Sequence, residues 1–138
     1  MGSATEIVIP NNIDFGKNHV GIVITGPNTG GKTVLLKTVG LLSLMVKFGL
    51  LIPADESSNI MIFDHIFCDI GDDQSIVENL STFSSHLKNV IEIMNNVTKD
   101  SLVLLDELGS GTDPTEGAAL AIAMLDFLHK KGIRTMAT

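Results

Sequence analysis

The sequence predicts an α/β fold, with a largely parallel sheet and helices on both of its faces. Three observations support this prediction. Short continuous apolar runs, typical of strands covered on both sides, alternate with longer segments whose apolar residues recur at helical spacing. A glycine-rich loop separates the first strand-like run from the first helical segment. Two adjacent acids directly follow a later run, where the carboxyl end of a strand is expected.

The individual elements follow from these patterns and from their flanking residues. Strands are predicted near residues 20–25, 60–68, 102–105 and 133–137. The first helix is predicted to start near Lys32, to carry apolar residues at helical spacing over residues 34–48 and to end at Gly49, and a second opens near residue 80. The third is predicted to begin after Asp113, with Pro114 at its first position and Glu116 completing a capping box, and to end at Gly132.

Length and composition indicate one intracellular domain. Among the 138 residues, residues 1–5 are predicted to be a disordered or cloning-derived leader and residues 6–138 the folded unit. The single cysteine, Cys68, lies in an apolar stretch and is predicted to be a small core residue in a reducing compartment. No apolar run in the sequence is long enough to span a bilayer.

The net charge of −7 argues against a nucleic-acid surface in this part of the protein. Such surfaces normally carry clustered positive charge, and this sequence has no basic stripe, no Trp and no Tyr. We therefore expect a nucleotide to be the polyanion that it binds tightly.

A complete G-x-x-x-x-G-K-[ST] phosphate loop indicates where that nucleotide binds. Glycines in the loop let backbone N–H groups approach phosphates closely, and the following helix presents its positive end. Lys32 is predicted to reach the β- and γ-phosphates during catalysis, and the Thr33 hydroxyl to bind Mg²⁺. A glycine-rich turn that binds nothing is disfavoured by the strand before it and the helix after it. The predicted nucleotide contacts here are Gly26, Pro27, Asn28, Thr29, Gly30, Gly31, Lys32 and Thr33.

The acids Asp106 and Glu107 end the apolar run at residues 101–105. Asp106 is predicted to hold Mg²⁺, and Glu107 to be the catalytic base that orients the attacking water. Acids are also common at solvated strand ends, and the phosphate loop is what favours the catalytic interpretation.

Ser81 and Thr82 stand at the start of the second predicted helix. Hydroxyl residues in this place can cap their own helix or bind an anion. Periodicity alone favours capping.

Together these motifs resemble the ATPase domain of the MutS family of DNA mismatch-repair and recombination-control proteins. The matching segments are residues 25–33, 81–83 and 105–113. Residues 32–34, 69–76, 84–86 and 112–114 are most similar to the second bacterial branch of the family, which acts on recombination intermediates and stalled ribosomes.

The resemblance implies a P-loop NTPase of the ABC-ATPase type, truncated at its C-terminus, that uses ATP or ADP and Mg²⁺. It implies that Ser81 and Thr82 contact the γ-phosphate of a nucleotide held by a second subunit, in a homodimer formed through this domain. DNA or the ribosome would bind through regions outside this sequence, in the bacterial cytoplasm near the nucleoid, with no membrane partner.

The resemblance also implies finer roles. Residues 8–11 would lie against the adenine, and Asp72, Asp73 or Gln74 would belong to a nucleotide-sensing segment. Family members carry a Thr-His pair after the strand at 133–138, and this sequence stops before it. The histidines that are present are predicted to be structural or solvated: His19, His65, His86 and His129.

Two alternatives to hydrolysis by a MutS-type domain remain open. The fragment could be a nucleotide-binding or dimerisation module without significant hydrolysis by itself. It could also belong to another ABC-type ATPase, such as a transporter cassette, although the Leu-Ser-Gly-Gly-Gln signature of those proteins does not occur in the sequence.

Overall fold

The computed structural model describes residues 10–15, 19–71 and 79–138, without the side chains at positions 28 and 79–82. The predicted leader, residues 8 and 9, and the predicted sensing residues Asp72, Asp73 and Gln74 lie outside the described residues. The elements are β1 (Gly21–Val23), a short 3-10 turn (Asn28–Gly30), α1 (Lys32–Lys47), β2 (His65–Asp69), α2 (Asn79–Asn96), β3 (Ser101–Leu105), α3 (Pro114–Lys130) and β4 (Arg134–Ala137).

The described strands form one sheet in the order β1-β4-β3-β2, and every neighbouring pair is parallel. The prediction of a parallel α/β sheet is therefore confirmed. Because the strands all run in one direction, the segments that follow them emerge at one edge of the sheet, which we call the carboxyl edge. The loop after β1 and the acids after β3 both lie there.

The helices cover the sheet on both faces, as predicted. Alternate residues of β3 face opposite layers, because side chains alternate along a strand. Leu102 and Leu104 pack with Leu36 of α1. Val103 and Leu105 pack with α2 and α3 on the other face. The central strand β3 is consequently buried over its whole length.

The predicted strand at residues 60–68 is wrong in its first half. Pairing begins only at His65, which lies opposite Ser101, the first residue of β3. The preceding Asp64 donates its backbone N–H to Asp100 and accepts the His65 N–H with its carboxylate, at 2.7 Å. The apolar residues at 60–63 therefore belong to a loop, although Phe63 packs into the core.

The helix ends match the predictions closely. α1 begins at Lys32, as predicted, and both Gly49 and Gly132 adopt the left-handed conformation that ends a helix. The Asp113 carboxylate caps α3 by accepting the Thr115 N–H at 2.9 Å. Glu116 differs from the predicted capping box, because its carboxylate accepts the Thr112 hydroxyl at 3.4 Å.

Cys68 corrects a second prediction, because it is exposed rather than a core residue. It lies on β2, which pairs only with β3 among the described strands and is therefore the outermost strand on that side of the sheet. Its apolar neighbours, which suggested burial, do pack against the core: Phe67 on one face of the sheet, and Ile66 and Ile70 on the other. No helix in the described part of the chain is long and apolar enough to cross a membrane.

Candidate nucleotide and metal site

The loop between β1 and α1 has the backbone shape of an anion cradle. Gly26 and Gly31 have φ values of 143° and 78°, which side-chain-bearing residues rarely adopt. The Gly30 N–H closes a turn on the Pro27 carbonyl at 2.9 Å. A Cβ added at Gly26, Gly30 or Gly31 would meet no other atom within 4 Å. The loop therefore borders open space rather than packed protein.

The first turn of α1 adds positive character to this space. The Leu35 N–H donates to the Gly31 carbonyl at 2.9 Å, and the N–H groups in the first turn of a helix point outward from its start, where an anion can accept their hydrogen bonds. No side chain caps this end, and no acid lies in the first turn. The Lys32 ammonium donates to the Gly26 carbonyl across the loop. Amides, helix dipole and ammonium thus converge on one place.

Asp106 is held at the carboxyl edge by three hydrogen bonds, with partners in α1, in β2 and directly after β4. Its carboxylate accepts the Thr33 hydroxyl and the Thr138 hydroxyl, each at 2.6 Å. Its backbone N–H donates to the carbonyl of Asp69, which ends β2, at 2.8 Å. The residue is only 8% exposed. The structure thus brings together Thr33 and Asp106, the two residues predicted to bind metal from segments far apart in sequence.

The chemistry of this pair fits Mg²⁺. The Thr33 hydroxyl donates its hydrogen bond to Asp106, which leaves the lone pairs of Oγ1 to face a cation. The described residues contain no cluster of three or more His, Cys, Asp or Glu side chains that could form an all-protein metal cage. Mg²⁺ does not require one, because it keeps several waters and binds through one or two protein oxygens plus substrate phosphates.

Glu107 follows Asp106 directly but has a different environment. It is exposed, and its φ of 50° makes it the one non-glycine residue with positive φ in the described part of the chain. Its N–H donates to the Thr138 hydroxyl at 2.9 Å. A left-handed conformation costs such a residue roughly 1–2 kcal/mol, and strain of this kind clusters at functional sites. The turn directs the second acid out of the sheet.

The loop after Glu107 packs between α2 and α3. Its Gly109 lies so close to α3 that an added Cβ would stand 2.4 Å from the Gly117 carbonyl oxygen. At Gly111, an added Cβ would lie 3.6 Å from the Phe83 Cβ of α2. A cavity of about 20 Å³, roughly the space of one water, separates this loop from α2. It is too small for a nucleotide, and none of residues 26–33 lines it.

Two residues of this edge were not predicted. Thr138 supports both acids, and the Asp69 carboxylate accepts His86 Nδ1 at 2.9 Å and Asn89 at 2.8 Å. The available signal was their position, because each ends or follows a strand whose carboxyl end reaches the site. His86 was predicted to be structural or solvated, and its hydrogen bond to the Asp69 carboxylate agrees with a structural role.

The predicted hydroxyls Ser81 and Thr82 lie in the first turn of α2. Their side chains, like that of Asn28, are outside the described residues, so their contacts stay predictions. Pro27 and Thr29 are exposed on the loop.

Comparison with known proteins identifies the family. Residues 22–138 match the family described as MutS domain V. The chain is 60% identical over 133 residues to Endonuclease MutS2 of Geobacillus sp. (strain WCH70) and 63% identical over 131 residues to Endonuclease MutS2 of Finegoldia magna. A third relative, from Caldanaerobacter subterraneus, is 62% identical over 133 residues. These matches cover 95–96% of the chain but only 17% of each relative.

Both levels of the sequence-based resemblance are confirmed by these matches. The family match spans most of the chain, and the relatives carry the name of the branch that the sequence suggested. The chain belongs to the MutS family, within its domain V.

Proposed function

We propose that this chain binds and hydrolyses ATP with Mg²⁺, as the ATPase domain of a MutS-type protein of DNA repair or recombination control. The observation that carries the proposal is the 2.6 Å hydrogen bond from Thr33 to Asp106. It joins the end of the phosphate loop to the acid after β3, and these are the two protein groups that hold Mg²⁺ in phosphate-loop enzymes.

In the proposed site, the loop and α1 bind the triphosphate. Residues 26–31 offer backbone N–H groups, and the Lys32 ammonium exchanges the Gly26 carbonyl for phosphate oxygens. Mg²⁺, when bound, would neutralise charge on the transferred phosphoryl group. Thr138 keeps the Asp106 carboxylate oriented by donating to the oxygen that Thr33 does not use.

Glu107 is proposed to orient the attacking water. Its exposure and its left-handed turn support this role, because a carboxylate that projects from the edge can reach a water beside the γ-phosphate. Asp106 is buried, and each of its carboxylate oxygens accepts one hydrogen bond, so the carboxylate is held in place and keeps lone pairs with which it can hold a metal.

A composite site at a dimer interface is proposed for Ser81 and Thr82. The helix α1, which begins at Lys32, packs on one face of the sheet, whereas α2, which contains Ser81, packs on the other. A hydroxyl in the first turn of α2 would therefore meet the nucleotide of a second copy more readily than that of its own chain. DNA, or the ribosome, is proposed to bind through other parts of the protein, in keeping with the net charge of −7 here.

The proposal is tested by measuring ATP affinity by calorimetry and hydrolysis in a single turnover. We expect Lys32→Ala to weaken ATP binding about 100-fold, since it removes charge-assisted hydrogen bonds of up to about 3 kcal/mol. Glu107→Gln should retain ATP and lower the hydrolysis rate by about 100-fold or more.

The outcomes separate the alternatives. Equal turnover by the Glu107→Gln variant and the unmodified protein would contradict the role of that residue. Binding that depends on Lys32 but is never followed by hydrolysis would favour a nucleotide-binding or dimerisation module. Binding that survives Lys32→Ala would contradict the proposed site altogether.

A further inference from the structure

We propose that Asp69 and His86 form a positioning pair that sets the direction of α2, and hence of Ser81 and Thr82, relative to the metal-binding Asp106. This inference deepens the proposed function and rests on it. The two residues touch neither the nucleotide nor the metal in this scheme, and they act through the elements that they join.

The pair anchors α2 to the end of β2 at two points. The Asp69 carboxylate accepts His86 Nδ1 with one oxygen, at 2.9 Å, and the Asn89 side-chain amide with the other, at 2.8 Å. His86 and Asn89 lie three residues apart and so share one face of the helix. Two anchors on one face fix both the rotation of α2 and its distance from the sheet.

The same residue continues the connection to the site through its backbone. The Asp69 carbonyl accepts the Asp106 N–H at 2.8 Å, and the Asp106 carboxylate accepts the Thr33 hydroxyl at 2.6 Å. A continuous set of hydrogen bonds therefore runs from α2 through Asp69 to the predicted metal ligands. Asp69, Asp106 and His86 also line the small cavity beside Glu107.

Position along α2 explains why this matters for hydrolysis. Ser81 lies five residues before His86, which is about 7.5 Å along a helix axis. A tilt or rotation at His86 is therefore carried to the first turn. Misplacing a catalytic group by about 1 Å can cost about 100-fold in rate. The proposed nucleotide contacts of the phosphate loop and Lys32 lie before and at the start of α1, which Asp69 reaches indirectly, through Asp106 and Thr33. We therefore expect the pair to affect ground-state nucleotide binding less than hydrolysis.

A second His–Asp pair in the same chain provides a matched comparison. His65 Nδ1 lies 3.4 Å from the carboxylate of the adjacent Asp64, with side chains 58% and 40% exposed. In the His86–Asp69 pair the exposures are 31% and 13%, and the partners come from different elements. Water screens the His65–Asp64 pair more strongly, and that pair joins adjacent residues of the chain rather than a helix and a strand.

The experiment compares His86→Leu, His86→Asn and the control His65→Leu in the natural full-length chain that carries this sequence. The asparagine amide can take the place of Nδ1 and keep the donor to Asp69, whereas leucine cannot. We expect His86→Leu to lower kcat at saturating ATP about tenfold, with the affinity for fluorescent mant-ADP changed less than about twofold. His86→Asn should stay within about threefold of the unmodified protein, and His65→Leu should be unchanged.

Several outcomes would overturn the inference. Unchanged kcat in His86→Leu would do so, as would equal losses in the leucine and asparagine variants, because the hydrogen bond would then be irrelevant. A parallel loss of mant-ADP affinity and of kcat would indicate a merely structural role. If His86→Leu does not fold, Asn89→Ala decides the matter, since it removes the second anchor and should also lower kcat with mant-ADP affinity kept.

Failure of this inference can be told from failure of the proposed function. If Lys32→Ala abolishes hydrolysis while His86→Leu leaves it intact, only the positioning role is wrong. If hydrolysis survives Lys32→Ala, the proposed function itself is wrong, whatever His86 does.

Discussion

The two edges of the sheet carry the same kinds of side chain in different surroundings. At the carboxyl edge, the Thr33 hydroxyl donates to Asp106 at 2.6 Å. At the opposite edge, where the strands begin, the Thr98 hydroxyl donates to Asp64, also at 2.6 Å. Asp106 is buried, whereas Asp64 is exposed. Hydrogen-bond chemistry alone therefore does not distinguish the edge of the proposed site from the opposite edge.

What distinguishes the edges is the backbone around them. In parallel β-α units the helices begin near the carboxyl edge and end near the other, so their dipoles make the carboxyl edge positive and the opposite edge negative. The open loop with Gly26 and Gly31 and the strained Glu107 lie at the carboxyl edge. At the opposite edge, Lys47 in the last turn of α1 donates to the Asp64 carbonyl. The first edge has the features that the proposed nucleotide site needs, and at the second edge the polar groups named here bond to one another.

The largest expected contrast comes from the acids that flank β3. Asp106→Asn removes the carboxylate at the carboxyl edge and should lower turnover about 100-fold or more, because the proposed metal loses its charged protein ligand. Asp100→Asn makes the same change at the opposite end of the strand and should leave turnover within about twofold. Titrating Mg²⁺ in steady-state assays measures both, and equal effects would contradict the assignment of function to one edge.

A stability contrast is expected between glycines of the two edges. In Gly109→Ala the new Cβ would overlap the Gly117 carbonyl, at 2.4 Å in a backbone with φ of 84°, and should cost about 3 kcal/mol. In Gly132→Ala the φ is 68° but nothing lies within 4 Å, so only the conformational cost of about 1 kcal/mol remains. Urea unfolding of both variants gives the comparison. A larger loss of stability in Gly132→Ala than in Gly109→Ala would mean that the loop after Glu107 can move to accommodate the new Cβ.

The threonines provide a smaller contrast in both stability and activity. Thr138→Val removes the hydrogen bond that Thr138 donates to Asp106 and the one that it accepts from Glu107. We expect this change to lower the free energy of unfolding by about 1–3 kcal/mol and to lower turnover about tenfold. Thr98→Val should destabilise the fold less than Thr138→Val, because its hydrogen bond to Asp64 is exposed, and should leave turnover unchanged. Thermal unfolding and ATPase assays on the same preparations test this. Loss of turnover in Thr98→Val would show that the edges are coupled.

The smallest effect is a pH dependence of stability at the strand-beginning edge. The Thr98 hydrogen bond holds the pKa of Asp64 below its usual 3.8. The ionised carboxylate therefore stabilises the fold above about pH 4, and this contribution disappears as the pH falls through the lowered pKa. The stability difference between the unmodified protein and Thr98→Val should shrink below pH 4. A difference that stays constant from pH 7 to pH 3 would assign the lowered pKa to another cause.

Much of the fold could be predicted because its signals are local. The buried run at residues 101–105, the Asp113 cap and the left-handed Gly49 and Gly132 each depend on residues a few positions apart. The strand at residues 60–68 was overpredicted because apolar residues there pack into the core from a loop, and strand pairing needs a partner that begins only at Ser101. Cys68 was wrongly predicted to be buried, because its exposure depends on which strand is outermost in the sheet.

The motifs of the candidate site were identified from the sequence, but the residues that support them were not. Thr33, Asp106 and Glu107 were recognisable from residue type and spacing, and the structure brings the first two into contact. Thr138 was not singled out, because its role depends on β4 lying between β1 and β3. The Asp69–His86 pair likewise depends on α2 crossing the end of β2.

The sequence by itself determined the family and the succession of strands and helices, and it predicts the chemistry of the loop and the acids. These properties follow from periodicity, glycine conformation and motif spacing, which act over short stretches of chain. Only the tertiary structure decided the strand order, the burial of Asp106 and the exposure of Glu107. The physical reason is that hydrogen bonds between parallel strands join residues far apart in sequence, so their partners are chosen when the whole sheet forms.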